Sequence, residues 1–207
     1  MRLLFLDSET NGLPTNRYAP FTATESWPRL IQLSWQVVET DYWTVVERHD
    51  YLVKTGAPWN ADAERVHRIP ESLVARTGRA PSEVLADLAT SIRGTDKIVC
   101  HNLAFDKTVV LAEAQRLYEA GIGVRPNTIW SKPDLCTMVA TKEFCRIPFS
   151  DGRGMKFPKL EELYKCIFGS AYDVSGADLH DAANDVSCLV TCVRELVARG
   201  QLSGVVV

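Results

Sequence analysis

With 207 residues the chain can bury one substantial domain and is short for two, so residues 1–207 are read as a single domain. Its 46% hydrophobic and 24% charged residues exclude a disordered or fibrous chain. A formal net charge of −3 excludes a generally basic nucleic-acid coat and leaves only local basic loops to steer a polyanion.

In chain order, Leu3-Leu4-Phe5-Leu6 is an apolar run that ends abruptly in Asp7-Ser8-Glu9-Thr10-Asn11-Gly12-Leu13. Strand side chains alternate between faces, so Asp7 and Glu9 project together and can share one cation or proton. By itself this stretch reads as a strand followed by a polar turn. Residues 14–29 lack helical or strand periodicity and read as a long loop beside those acids. Its Tyr18, Phe21 and Trp27 either offer stacking faces to unpaired bases or pack the loop onto the body. Residues 30–38 and 43–53 alternate as strands and complete an antiparallel meander. Residues 66–74 turn into a short helix, and Pro81 opens another with Leu85, Leu88 and Ile92 as its apolar stripe. Residues 97–102 form a short strand, and residues 104–120 a helix ended by Gly121.

Residues 128–136 read as a further strand flowing into a helix at 137–144. The loop at 146–158 carries Arg146, Arg153 and Lys156 and is either a phosphate-contacting flap or a solvated loop. Leu160, Leu163, Tyr164 and Ile167 mark one face of a short helix capped by Gly169, and residues 181–199 form the last helix. A meander followed by strand–helix alternation predicts an α/β layered domain with helices covering the sheet.

The six cysteines include no CxxC pair, and the first strand begins almost at Met1. A reducing, cytoplasmic compartment is expected. Cys188 and Cys192, four apart on a helix, read as core. No apolar stretch approaches the ~20 residues of a membrane-spanning helix, and no membrane partner is expected. The apolar tail at 205–207 is read as a packed or frayed terminus.

Two further acidic sites raise the interest of the first. In His101-Asn102-Leu103-Ala104-Phe105-Asp106 a strand hands over to a helix; with Asn102 as N-cap, Asp106 falls in the first turn, where the helix dipole favours a carboxylate. In His180-Asp181-Ala182-Ala183-Asn184-Asp185, Asp181 is an apt N-cap and Asp185 again lies early in the helix. His180 then falls in the preceding loop and can approach the pocket of Asp185. His101 reads as a support for the strand end, His49 as a strand-surface residue, and His67 as either a turn contact or a substrate contact.

Asp7-x-Glu9, His-Asn-x-x-Phe-Asp106 and His180-x-Ala-x-x-Asp185, in this order and spacing, resemble the DEDDh branch of the DnaQ-like (DEDD) 3′-to-5′ exonucleases. Thr10-Asn11-Gly12-Leu13, Arg29-Leu30-Ile31-Gln32-Leu33, His67 before Ile69-Pro70, and Lys159-Leu160-x-x-Leu163 extend the resemblance over nearly the whole chain. Asn11, where many relatives carry Thr, and the long loop at 14–29 depart from it. The resemblance implies an RNase H-like fold: a mixed five-stranded sheet in order 3-2-1-4-5 with helices on both faces. It further implies two divalent ions held by Asp7, Glu9, Asp106 and Asp185, with Asp7 as the bridge and His180 as general base. Thr10, Gly12, Leu13, His67, Asn102 and Phe105 are the implied substrate contacts.

Carboxylate sites suit magnesium or manganese, whereas zinc usually takes more His or Cys. Four carboxylates brought together without metal repel, raising some of their pKa values, so metal is expected to stabilise the fold. The expected activity is hydrolysis at a nucleic-acid 3′ end, DNA before RNA, releasing nucleoside 5′-monophosphates. The alternatives are an RNA-trimming exoribonuclease and a nucleic-acid-binding module without turnover. A polymerase or repair protein is the expected kind of partner, and oligomeric state is left open.

Overall fold

β1 (Arg2–Thr10) buries Leu3, Leu4, Phe5 and Leu6 completely, which requires cover on both of its faces. The computed structural model describes residues 1–123, 125–169 and 181–202. It pairs β1 antiparallel with β2 (Leu30–Glu39), and β2 antiparallel with β3 (Thr44–Leu52). α1 (Ala61–His67), α2 (Glu71–Thr77) and α3 (Pro81–Arg93) follow, and β4 (Lys97–Cys100) then joins the free side of β1 in parallel. α4 (Leu103–Glu119) and the single turn α5 (Pro126–Ile129) lead to β5 (Asp134–Cys136), parallel to β4. Next come α6 (Thr137–Ala140), α7 (Lys142–Cys145), α8 (Leu160–Phe168) and α9 (Ala182–Ala198). The sheet order is β3-β2-β1-β4-β5, the expected RNase H-like arrangement.

Strand alternation divides the core between the two faces. Leu4, Leu6, Leu33, Trp35, Ile98 and Cys100 pack against α3 and α4, whose inward residues include Leu85, Leu88, Ile92 and Val110. Leu3, Phe5, Val38 and Val99 pack on the other face against Leu163 of α8 and Val186, Leu189, Cys192 and Val193 of α9. Each such side chain contributes about 1.5–3 kcal/mol by leaving water. Cys188 and Cys192 are fully buried, as expected, and the six cysteines are all free thiols. His49 lies on β3 stacked on Trp35, with ring centroids 4.6 Å apart. Among the described residues no helix is long and apolar enough to cross a membrane.

Two local expectations need correction, and one element was not expected. The strand expected at 128–136 is confined to its last three residues, because Pro126 opens a helical turn and Pro133 has no N–H to pair. The carbonyl of Pro133 accepts the Ile98 N–H at 2.9 Å, and pairing starts only beyond it. The helix expected at 137–144 breaks at Thr141, whose hydroxyl bonds back to the Thr137 carbonyl at 2.7 Å. The turn into a short helix expected at 66–74 is present as residues 68–70 and α2, but a helix before the turn was not expected, so two helices, α1 and α2, flank it. Asn60 starts the first by accepting from the N–H groups of Asp62 and Ala63. Residues 14–29 form the expected loop, with one 3₁₀ turn at Thr24–Ser26. The tail at 205–207 lies outside the described residues.

Candidate active site

The same alternation that buries Leu3 and Phe5 against α9 carries Asp7 and Glu9 out at the end of β1 on that face. α9 delivers Asp185 there from its first turn. Its N-cap is Asp181, which accepts from the N–H groups of Ala183 and Asn184 at 3.0 and 3.3 Å. Asp7, Glu9 and Asp185 each bring a carboxylate oxygen within 4.8 Å of the others. Asp106 arrives from the opposite face, on the first turn of α4, and is only 2% exposed. Ser8 points to that face, and its hydroxyl donates to Asp106 Oδ1 at 2.7 Å. The four acids thus straddle the end of one strand.

β2 fixes how α9 meets this strand end. Gln32, paired with Glu9 in register and buried, accepts the Ala182 N–H at 3.1 Å through Oε1. Its Nε2 donates to Asp50 Oδ1 at 2.9 Å and to Asp181 Oδ2 at 3.4 Å.

Crowded carboxylates resist ionisation. Asp7 is pushed well above the usual carboxylate range, first by burial and then by the charges of Asp106, Asp185, Glu9 and Asp181. Glu9 is raised to about 8, by burial and then by Asp185, Asp106 and Asp181. Burial lifts Asp106 to about 7 against the opposing hydrogen bond from Ser8. A divalent cation relieves such a set, and three convergent carboxylates are donors that hard cations prefer. The residues fit the expected metal.

The acids open onto a hollow of about 360 Å³ lined by Asp7, Asp185, His101, Asn102 and Lys159. Asn102 also lines a second hollow of about 720 Å³ with Leu13, Arg17, Tyr18 and Phe105. Leu13 and Phe105 in turn border a third, of about 530 Å³, with Glu9, Thr10, Gly12 and Asn60. The three hollows adjoin one another across Asn102, Leu13 and Phe105 and together form the cleft beside the acids.

Within it, Leu13 is 84% exposed, while Phe105 is half-buried against the core. Asn102 occupies the N-cap position of α4 in a left-handed conformation (φ 71°) but makes no side-chain capping bond, so its exposed amide faces the cleft. Thr10 is buried, and its hydroxyl closes the turn onto the Gly12 carbonyl at 2.7 Å. His67 is buried away from the three hollows: its Nδ1 accepts the Ile69 N–H at 3.0 Å, the turn contact, and its Nε2 has no partner among the described residues. His101 supports the strand end, as expected, bonding Thr137 Oγ1 and the Pro158 carbonyl at 2.9 Å each; burial lowers it to about 4 and keeps it neutral. His180 lies outside the described residues. Of the flap cations, Lys156 pairs with Glu162 and Arg153 with Asp151; just beyond the flap, Lys159 lines the acid hollow and lies 3.6 Å from the Glu161 carboxylate.

Sequence reasoning gave Ser8, Gln32 and Lys159 no role. Ser8 is signalled by its position between two acids, which turns it to the opposite face. Gln32 is signalled as one of three uncharged polar residues, with Ser34 and Gln36, in a strand that is buried almost throughout.

No protein-family model and no curated protein matches the chain. Solved structures do. E. coli exonuclease I in complex with a dT13 oligonucleotide superposes with a TM-score of 0.70 at 18% identity, over 96% of this chain and 41% of that one. The fold is that of exonuclease I. The zinc-ion-bound form of the E. coli exonuclease I–ssDNA complex gives 0.69 at 18% identity, over 96% and 41%. A product-bound exonuclease I gives 0.68 at 17%, over 95% and 43%. The chain therefore spans about two fifths of the length of exonuclease I. Identity this low carries the fold alone, and the roles of the acids rest on their geometry in this chain.

Proposed function

We propose that this single domain is a metal-dependent 3′-to-5′ exonuclease of the DEDDh branch, removing nucleoside 5′-monophosphates from a single-stranded or frayed DNA end. The observation that carries the reading is the convergence of Asp7, Glu9 and Asp185 within 4.8 Å at the end of the central strand, with Asp106 completing the set from the other face. The exonuclease I structures that share the fold hold DNA oligonucleotides, which supports DNA as the substrate.

When bound, two divalent ions, magnesium or manganese, supply charge compensation and an activated water at the scissile phosphate. The chain's own residues hold and orient. Asp7, Glu9, Asp106 and Asp185 are the ion-holding oxygens, and the Ser8 hydroxyl fixes which Asp106 oxygen turns inward. Leu13 and Phe105 form the apolar wall for the terminal bases, with Thr10 and Gly12 shaping the turn that carries Leu13. The Asn102 amide and the Lys159 ammonium face the phosphate side of the cleft. His180 takes the proton of the attacking water, as an imidazole can at neutral pH. The water oxygen bonds to phosphorus, the bond from phosphorus to the upstream 3′ oxygen breaks, and the shortened strand keeps a 3′ hydroxyl. His67 serves the turn between α1 and α2 rather than the substrate.

The test is hydrolysis of 5′-labelled and 3′-labelled DNA and RNA of one sequence with magnesium, manganese or chelator. A metal-dependent ladder on the 5′-labelled DNA and mononucleotide from the 3′ label are expected. Asp7→Ala and Asp185→Ala should lower the rate roughly 10³-fold or more while circular dichroism is unchanged. His180→Ala should lower it roughly 10²- to 10⁴-fold. Full activity in either aspartate variant would refute the reading.

A further inference from the structure

The loop at 14–29 carries three aromatic residues, and the structure separates them. Trp27 is buried, and its indole N–H donates to the Ala19 carbonyl at 3.2 Å. Phe21 packs against the core on the α3/α4 side. Tyr18 is 81% exposed and lines the largest hollow of the cleft, facing the space shared with Leu13, Asn102 and Phe105.

This exposed ring stands on a fixed base. Its own N–H donates to Asn16 Oδ1 at 3.0 Å, and the next residue's N–H to the Asn16 carbonyl at 3.1 Å. From α4, Arg116 donates to the carbonyls of Thr24 and Trp27 at 2.6 Å each. Arg17 lies beside the ring with its guanidinium carbon 5.0 Å from the centroid, and it bonds the phenol oxygen at 2.8 Å. Arg17 pairs with no carboxylate among the described residues. An exposed aromatic on an anchored loop, with a cation beside it that pairs with no carboxylate among the described residues, adjoining a hollow that ends in carboxylates, matches an unpaired base with its phosphate. Stacking on such a ring is tolerant of base identity and loses little side-chain entropy.

We propose that Tyr18 and Arg17 form a binding platform for a nucleotide of the substrate strand lying 5′-ward of the terminal one, Tyr18 stacking its base and Arg17 meeting its phosphate. This rests on the exonuclease reading and adds a strand-length dependence to it.

Calorimetric titration of the full chain in calcium, with dT8 and separately with thymidine 5′-monophosphate, tests the platform. Tyr18→Ala should weaken dT8 roughly 5- to 150-fold, the equivalent of about 1–3 kcal/mol for one stacked base, and leave the mononucleotide unmoved. Tyr18→Trp should retain dT8 affinity. Arg17→Ala should reduce the slope of log affinity against log salt by about 0.7, one single-strand phosphate contact. Unaltered dT8 affinity in Tyr18→Ala, or equal losses for dT8 and mononucleotide, would overturn the platform while leaving the exonuclease reading intact. Wild-type protein that binds neither ligand would sink both.

Discussion

Two irregular segments, residues 14–29 and 146–158, border the same cleft and are held by opposite means. The first is fastened from beneath by a buried charge cluster. Glu113 on α4, 1% exposed, takes two bonds from Arg29 and another from Arg116, which also grips the Thr24 and Trp27 carbonyls. The second folds on itself, with Lys156 N–H bonded to the Ile147 carbonyl and Phe149 N–H to that of Gly154. It meets the body through the His101–Pro158 bond, the Lys156–Glu162 pair and the Lys142 ammonium 5.0 Å from the Phe157 ring centroid, and Phe149 and Phe157 stay half-exposed. Moving the first segment uncovers buried charge, whereas moving the second breaks little. The contrast identifies 14–29 as the fixed wall of the cleft and 146–158 as its yielding one.

The largest effect belongs to the fixed wall. Glu113→Ala leaves two arginines without their buried partner and should cost about 3–5 kcal/mol in urea denaturation. A loss below about 1 kcal/mol, the level of an exposed pair, would break the comparison.

The acids between the walls give the next effect. Glu9 and Asp106 keep their protons to about 8 and about 7 in the folded chain, above the ordinary carboxylate values of 4.5 and 3.8. Across that interval the folded state binds more protons than the unfolded one, so metal-free stability is present at low pH and falls as pH rises toward 8. Thermal denaturation in chelator should show that decline. Magnesium at a hundredfold excess over its Kd should restore about 2.7 kcal/mol at pH 8 and less at pH 5. A flat profile would contradict the packing of these acids. Limited proteolysis sharpens the point, since chelation should speed cleavage within 146–158 more than within 14–29.

His101→Ala should cost about 0.5–1.5 kcal/mol for the lost bond to Pro158, and it should raise proteolysis only at 146–158. Equal sensitisation of both segments would show that the walls are coupled. Smallest is Lys156→Ala, expected within about 1 kcal/mol because its pair with Glu162 is partly solvated.

Much of the site was legible in the sequence where the governing interactions are local. Strand alternation puts Asp7 and Glu9 on one face, an aspartate before a helical run caps it, and glycine ends α4 and α8, because each depends on neighbours within a few residues. Local signals misled where proline and threonine interrupt a periodic pattern, as at Pro133 and Thr141. They also fell short at α1, where Val66 is exposed and the helix has no apolar stripe to show.

By itself the sequence determined the three acidic motifs, the cap of α9, the buried central strand and the presence of a long loop after it. Only the tertiary structure decided that Asp106 reaches the acids through Ser8, 98 residues away, and that Gln32 sets the start of α9 across 150 residues. It alone decided that Arg29 and Glu113, 84 apart, pin the loop so that Trp27 turns inward and Tyr18 outward. The physical reason is that such bonds join groups brought together only after the sheet and its helices have packed, and no local pattern encodes a partner that distant.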